Sequence, residues 1–309
     1  MDTATAPHHL LPEISPEAFS APLIKPAHVG EDWLEAGQRV YTDEEHALWD
    51  ELYARQMSLL PGRAAEQFLD GAEKLKLGAG GVPDFARLSA QLQDATGWTI
   101  VPVPSVIPDH VFFHHLANRR FPAGNFIRSR ATMDYIMEPD VFHDVFGHTP
   151  MLIEPKMADF MQKIGENGWN ALQHNKLRAL GALYWYTVEF GLVDTPQGFR
   201  LYGAGIASSP AETVFSLEGR SPNRLHFSLD RVMRTDYITS DLQQTYFVID
   251  SFADLFRETA ARQFDYIYSA LKPSFQYATS AVLETDRIYQ LGTQEYALRG
   301  GRGSRAAPV

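Results

Sequence analysis

Three side chains in two short stretches could hold a metal ion. His143 and His148 lie in Pro139-Asp-Val-Phe-His-Asp-Val-Phe-Gly-His-Thr-Pro150, and Glu189 lies in Tyr184-Trp-Tyr-Thr-Val-Glu-Phe-Gly191. Two imidazoles and one carboxylate, in a chain without cysteine, match the ligand set of a mononuclear non-haem iron(II) site that keeps positions open for oxygen. Glu189 sits in an apolar, aromatic run, where an unpaired carboxylate is expensive. It should therefore meet an ion or an arginine, or face water on an amphipathic helix.

The histidine spacing carries geometry. Five helical steps of about 100° leave the two side chains roughly 140° apart, so an unbroken ideal α-helix would not aim both at one ion. Gly147 and Pro150 supply the means of a break, and the expectation is a helix ending inside the site with His148 turned inward at Gly147. Zinc hydrolases also use two histidines and a glutamate, but in an H-E-x-x-H motif with the catalytic Glu beside the first His. Here Asp144 follows His143 and the spacing is longer, so the hydrolase stands as the alternative. Two other patterns compete. His110 and His114 form an i, i+4 pair beside His115, and Gly203-Ala-Gly205 mimics part of a dinucleotide-binding turn but lacks the third glycine.

The elements that must position these residues are mostly helical. Thr42-Asp-Glu-Glu45 is a capping box opening a helix through Leu60, which Pro61-Gly62 ends. Helical spacing continues over Gly62 to Lys76, Pro83 to Thr96, Val141 to Phe146, Pro155 to Gly165, Leu172 to Phe190 and Ile249 to Phe264, and Ser209-Pro210-Ala-Glu212 opens another helix. Strands are expected only at Trp98 to Val103, Phe199 to Tyr202 and Asp236 to Thr239. The fold class is mainly α with a small β component. Residues 1–38 read as a flexible N-terminal arm, 39–285 as a single catalytic domain, and 286–309 as a mostly flexible tail.

Composition narrows the function classes. With 309 residues and 45% hydrophobic content the chain can bury a large core. The absence of cysteine removes disulfides, iron–sulfur clusters and thiolate nucleophiles. A net charge of -11 argues against nucleic-acid binding, which needs a basic surface. No apolar run approaches the roughly 20 residues that span a bilayer, and the N-terminus does not read as a secretory signal. The expectation is a soluble, cytoplasmic protein.

The runs Glu138 to His148, Leu183 to Leu192 and Tyr202 to Ser209 resemble the pterin-dependent aromatic amino acid hydroxylases, and within them the short bacterial phenylalanine 4-hydroxylases. The similarity covers roughly residues 40 to 265. It implies a single catalytic domain of the aromatic amino acid hydroxylase type that hydroxylates L-phenylalanine to L-tyrosine in phenylalanine catabolism, with tryptophan or tyrosine as alternative substrates. It also implies Fe(II) on His143, His148 and Glu189, O2, and tetrahydrobiopterin or a related tetrahydropterin. By the same resemblance the pterin stacks on Phe112, with Phe113 as the fallback, near Ile107 and Asp144. Arg128 binds the substrate carboxylate, oriented by Asp140, with Ser208 adding a hydroxyl at that end. The ring sits among Pro139, Trp185, Phe190 and Gly205, and Tyr184 lies near the metal as a catalytic candidate. Ile136 stands where animal relatives tend to have a hydroxyl residue, and Thr239 replaces a more usual aliphatic one. A monomer with little allosteric control is expected, with a functional link to a pterin-recycling dehydratase.

Overall fold

The computed structural model describes residues 37–104, 106–134 and 138–300. Nearly all of the N-terminal arm, Ile136 and the last nine residues lie outside the described residues.

The capping box forms as expected: the Glu45 amide donates to Thr42 Oγ1 at 3.3 Å and the Thr42 amide to Glu45 Oε2 at 2.8 Å. It starts α1, Asp43–Leu59, which buries Leu48, Trp49 and Leu52. The next two helices are shorter than the periodicity suggests: α2, Glu66–Lys74, and α3, Phe85–Thr96. Asp84 caps α3 and Gly97, at φ 79°, ends it in the left-handed conformation that glycine adopts without steric cost. Strand β1, Thr99–Val103, is followed by α4, Asp109–Ala117, and β2, Arg120–Gly124, which returns parallel to β1. This small crossover unit delivers the chain to Arg128.

A short α5, Thr149–Leu152, precedes α6, Pro155–Gln173, which packs along α4. The helix expected over residues 172–190 is divided. The chain turns at Asn175 (φ 54°), then forms α7, Leu177–Tyr184, and a π-helical stretch, Trp185–Glu189.

The second sheet is larger than expected. Its order is β4-β3-β6-β5-β7, where β3 is Leu192–Val193, β4 Arg200–Leu201, β5 Asn223–His226, β6 Thr245–Ile249 and β7 Ile288–Gln290. Between β4 and β5 lie α8, Ala204–Ala207, and α9, Pro210–Glu218; α10, Leu229–Val232, follows β5. Residues 236–239, expected as a strand, are irregular, and the central strand is β6. All five β6 residues are buried, so the alternation that marks a half-exposed strand is missing from them. For the same reason Ile249 ends β6 instead of opening a helix, and α11, Phe252–Ala260, starts after Ser251 caps the Asp254 amide at 3.1 Å. Then comes α12, Phe264–Ala270.

The expected free tail from residue 286 is also corrected up to residue 300. β7 pairs antiparallel with β5, and α13, Glu295–Leu298, follows it. Backbone pairing and polar contacts hold this segment, including the buried Arg224 guanidinium on Gln290. Apolar periodicity had no means of revealing it. Among the described residues no helix is long and apolar enough to cross a membrane.

Candidate active site

Residues Phe142–His148 form a π-helical stretch that runs on into α5 without a break. The expected helix end at Gly147 is therefore corrected. A π-helix bonds residue i to i+5, so residues five apart stack on one face, and this register brings His143 and His148 together. Gly147 has a different task. A Cβ there would meet the Ala204 carbonyl oxygen at 3.0 Å and the Ala204 Cβ at 3.1 Å, so its bare Cα lets α8 close on the stretch. The far side is anchored by Phe142 and Phe146, fully buried and stacked at 4.7 Å, with Trp49 edge-on to Phe142 at 5.2 Å. Each such ring contributes about 1.5–3 kcal/mol on burial, enough to hold an uncommon helical register.

Glu189 ends the second π-helical stretch. Its backbone is met by Gly203, where a Cβ would fall 2.3 Å from the Glu189 carbonyl oxygen. The amides of Tyr202 and Gly203 both donate to the Gly191 carbonyl at 3.2 Å. The Gly203-Ala-Gly205 pattern thus serves a close approach to the backbone at Glu189, and its partial likeness to a dinucleotide turn has this physical origin.

The three side chains converge. His148 Nε2 lies 3.1 Å from Glu189 Oε1, His143 Nε2 lies 3.5 Å from Glu189 Oε2, and the two Nε2 atoms are 3.3 Å apart. Donors about 2.1 Å from one ion, at angles between 90° and tetrahedral, are separated by roughly 3.0–3.4 Å, so the set fits an ion on one open face. Among the described residues it is the one group of three candidate ligands so arranged, and the His110, His114 and His115 cluster does not supply another. His115 is instead buried and pushed down to about 4 by burial, with Arg120 and His114 adding to the effect.

The hydrogen bonds fix which nitrogen faces the ion. Ser208 Oγ donates its single proton to the Ala204 carbonyl at 2.8 Å, so at 2.9 Å from His143 Nδ1 it accepts. Nδ1 then carries a proton in either charge state, and Nε2 is the nitrogen that can offer a lone pair to a metal once deprotonated. Burial lowers the His143 pKa, yet the Glu189 carboxylate, helped by Asp144 and Asp140, outweighs it and raises the value to about 9. Glu189, despite its burial, is held far below the usual carboxylate range by His148 and His143. The field at the centre of the cluster favours added positive charge.

The metal face opens on a cavity of about 320 Å³. Arg128, Pro139, Trp185, Phe190, Gly205 and Ser208 line it with His143 and Glu189, so six of the residues expected around a substrate share one space. Asp140 lies behind them, fully buried. Its Oδ2 accepts from Arg128 Nε at 2.9 Å and from the Arg128 amide at 2.8 Å, and its Oδ1 accepts from Arg128 NH2 at 2.8 Å. The same Oδ1 accepts from the His143 amide at 3.0 Å, which joins the arginine's support to the metal-bearing stretch. Burial raises the Asp140 pKa, but Arg128 and these amides hold it below the ordinary range. Trp185 packs on Phe190 at 4.6 Å and on Tyr237 at 5.3 Å, and its Nε1 donates to Gln243 Oε1 at 2.9 Å.

The residues expected near a pterin lie together to one side. Phe112 is half-buried and packs edge-on to Tyr184 at 5.3 Å, and Tyr184 in turn stacks over His148 at 6.1 Å. Phe113 is buried in the main core, so of the two rings Phe112 is the one with a free part. Ile107 belongs to a small apolar cluster with Val101, Val103 and Val111, against which Phe112 packs. Asp144 Oδ2 accepts from the Gly124 amide at 2.6 Å, and burial, opposed by His143 and His148, pushes its pKa up to about 6.

Sequence reasoning missed several residues. Ser208 contacts a metal ligand, a role its place in the motif did not reveal. Glu212, Ser209 and Asp241 also line the cavity, beside Thr239, which the sequence had already singled out. Glu212 was visible only as the last residue of a capping box; its Oε1 accepts from the Gln243 amide at 3.1 Å and from the Tyr246 hydroxyl.

Residues 35–293 match the family model described as biopterin-dependent aromatic amino acid hydroxylase. The chain is 51% identical over 277 residues to the phenylalanine-4-hydroxylase of Caulobacter vibrioides, covering 89% of this chain and 94% of that protein. It is 49% identical over 255 residues to that of Chromobacterium violaceum, covering 82% of this chain and 86% of that protein. The iron- and phenylalanine-bound crystal structure of the Chromobacterium violaceum phenylalanine hydroxylase superposes with a TM-score of 0.79 at 47% identity, over 84% of this chain and 95% of that one. With the ligand geometry and a match over most of its length, the chain belongs to the biopterin-dependent aromatic amino acid hydroxylases.

Proposed function

We propose that the chain is a phenylalanine 4-monooxygenase that converts L-phenylalanine, O2 and a tetrahydropterin into L-tyrosine and a hydroxylated pterin. One observation carries this reading: a two-histidine, one-carboxylate face opens on a cavity whose wall includes a guanidinium fixed by a buried carboxylate. An amino acid spanning that cavity has its carboxylate at one end and its ring toward the ligands.

Each residue has a definable task. Arg128 presents a planar fork to the substrate carboxylate, and Asp140 keeps that fork in one orientation. Pro139, Trp185 and Phe190 enclose the ring and exclude water from it, and Gly205 leaves room for the Phe190 ring, which a Cβ there would meet at 2.7 Å. His143, His148 and Glu189 would hold iron, and Ser208 keeps His143 in the tautomer that can bind it. Phe112, Ile107 and Asp144 form the side proposed to receive the pterin, with Tyr184 between Phe112 and His148. Bound iron, with reduced pterin as the electron source, supplies the activation of dioxygen for the hydroxylation.

A monomer belongs to the same proposal, supported by the small number of exposed large apolar side chains among the described residues: Val40, Val106, Tyr266, Ile288, Leu291 and Leu298. So do a cytoplasmic location, with which the cysteine-free composition agrees, and dehydration of the hydroxylated pterin by a separate enzyme. The test is an anaerobic, iron(II)-loaded assay to which oxygen and tetrahydropterin are added separately. Tyrosine should form only when both are present; equal yield without pterin would sink the mechanism.

A further inference from the structure

One wall of the cavity belongs to a loop, residues 236–244, that joins α10 to β6 and has no regular backbone pairing of its own. Two of its side chains, Thr239 and Asp241, line the cavity. Its ends are tied by the Asp236 amide on the Tyr277 carbonyl, the Tyr186 hydroxyl on the Asp236 carbonyl and the Gln243 amide on Glu212, and two further sets of side-chain contacts hold the stretch that faces the cavity. Gln243 fixes the inner end: its Nε2 donates to the carbonyls of Ile238 at 2.9 Å and Asp241 at 3.0 Å while its Oε1 accepts from Trp185. The outer end is held from outside the loop. Asp241 Oδ1 accepts from the Tyr296 hydroxyl at 2.7 Å and from the Leu242 amide at 2.8 Å.

Tyr296 is itself placed with care. Its amide donates to Ser221 Oγ at 3.0 Å and its ring meets Phe215 at 5.4 Å. Just before it, the Gln294 amide donates to the Ser221 carbonyl at 2.9 Å, and Gln294 Nε2 donates to the Gln244 carbonyl at 3.1 Å at the end of the same loop. The segment that follows β7 is thus bonded both to the α9–β5 connection and to both sides of the cavity loop's outer end.

We infer that the segment around α13 is a working part of the amino acid pocket, with Tyr296 as a positioning residue that fixes Asp241 and thereby the Thr239 wall. This rests on the reading that the cavity holds the amino acid. The contacts that place Tyr296 are to Ser221, Phe215 and Asp241, so its effect is expected on amino acid affinity.

The test uses the full, iron-loaded chain, with phenylalanine varied at saturating tetrahydropterin and the reverse. Tyr296→Phe should raise KM for phenylalanine about 3–10-fold, the scale of one lost hydrogen bond, with kcat per iron and KM for pterin unchanged. Asp241→Ala also removes the Leu242 contact and should raise KM at least as much, and adding Tyr296→Phe to it should cost nothing further, because the shared bond is already gone. Asp241→Asn, which keeps an accepting oxygen, should restore most of the affinity. A purely structural role would lower the active fraction and hence kcat, leaving KM alone. The inference is overturned by an unchanged phenylalanine KM in Tyr296→Phe, by equal rises in both KM values, or by additive single effects. Arg128→Met separates the two levels of argument. If it binds phenylalanine as well as the parent, the pocket reading itself fails; if it loses affinity while Tyr296→Phe does not, only the role of Tyr296 fails.

Discussion

Ser208 shows how much of a metal site lies outside its ligands. Its hydroxyl has one proton and spends it on the Ala204 carbonyl, which leaves a lone pair for His143 Nδ1–H. The bond holds the ring's orientation and keeps a proton on Nδ1, so Nε2 is the nitrogen that gives up its proton when an ion binds. Replacing Ser208 by Ala removes the acceptor without disturbing the ligand atoms, and partners of this kind are typically worth about 10–100-fold in metal affinity. Iron(II) competition against a chromophoric chelator should show a loss in that range for Ser208→Ala, with Ser208→Thr keeping most of the affinity. Unchanged affinity would mean that the bond does not orient the ligand. At this scale the sequence was legible where a residue's type states its chemistry, as for His143, His148 and Glu189, whereas the Arg128–Asp140 pair came only from the family resemblance. It was poorly legible for Ser208, because a serine's hydrogen-bond partner depends on which element packs beside it.

At the scale of elements, both ligand-bearing segments are π-helical, Phe142–His148 and Trp185–Glu189. The five-residue spacing of the histidines correctly signalled that an ordinary α-helix would fail. It did not distinguish a helix break from a wider helix, because the choice is made by tertiary anchoring. Phe142 and Phe146, fixed among Trp49, Phe68 and Tyr53, hold one side of the stretch, while α8 closes on the other. The same α8 turn is fitted against Glu189 through Gly203, so one short element sets the distance between the two ligand carriers. Gly203→Ala would place a methyl group 2.3 Å from the Glu189 carbonyl oxygen, a clash with backbone that no rotamer relieves. Overpacking of this kind costs about 1–3 kcal/mol, and the displaced segment is the one that carries a ligand. The variant should therefore melt lower and also bind substoichiometric iron when refolded in excess metal. Full iron content at the lower melting temperature would separate packing from ligand placement and refute the coupling.

The whole molecule explains why the ion should matter for stability as well as chemistry. Its ligands come from segments about forty residues apart in the chain, joined through α6 and α7, and the buried carboxylate and imidazoles are a costly set to leave without a central charge. An ion that binds the folded chain and not the unfolded one adds RT ln(1 + [L]/Kd), about 2.7 kcal/mol at a free concentration a hundredfold above Kd. For a domain of this size each kcal/mol moves the midpoint by about 2–4 °C, so iron(II) at that ratio should raise the melting temperature by roughly 5–10 °C over chelator-treated protein. Glu189→Ala supplies the control, since with one ligand gone the same iron concentration should produce little shift. The anaerobic melting curves of the two proteins, with and without iron, decide the matter. A parent midpoint that ignores iron would mean that the three side chains are preorganised without help from the ion, and equal shifts in parent and variant would place the stabilising ion somewhere else.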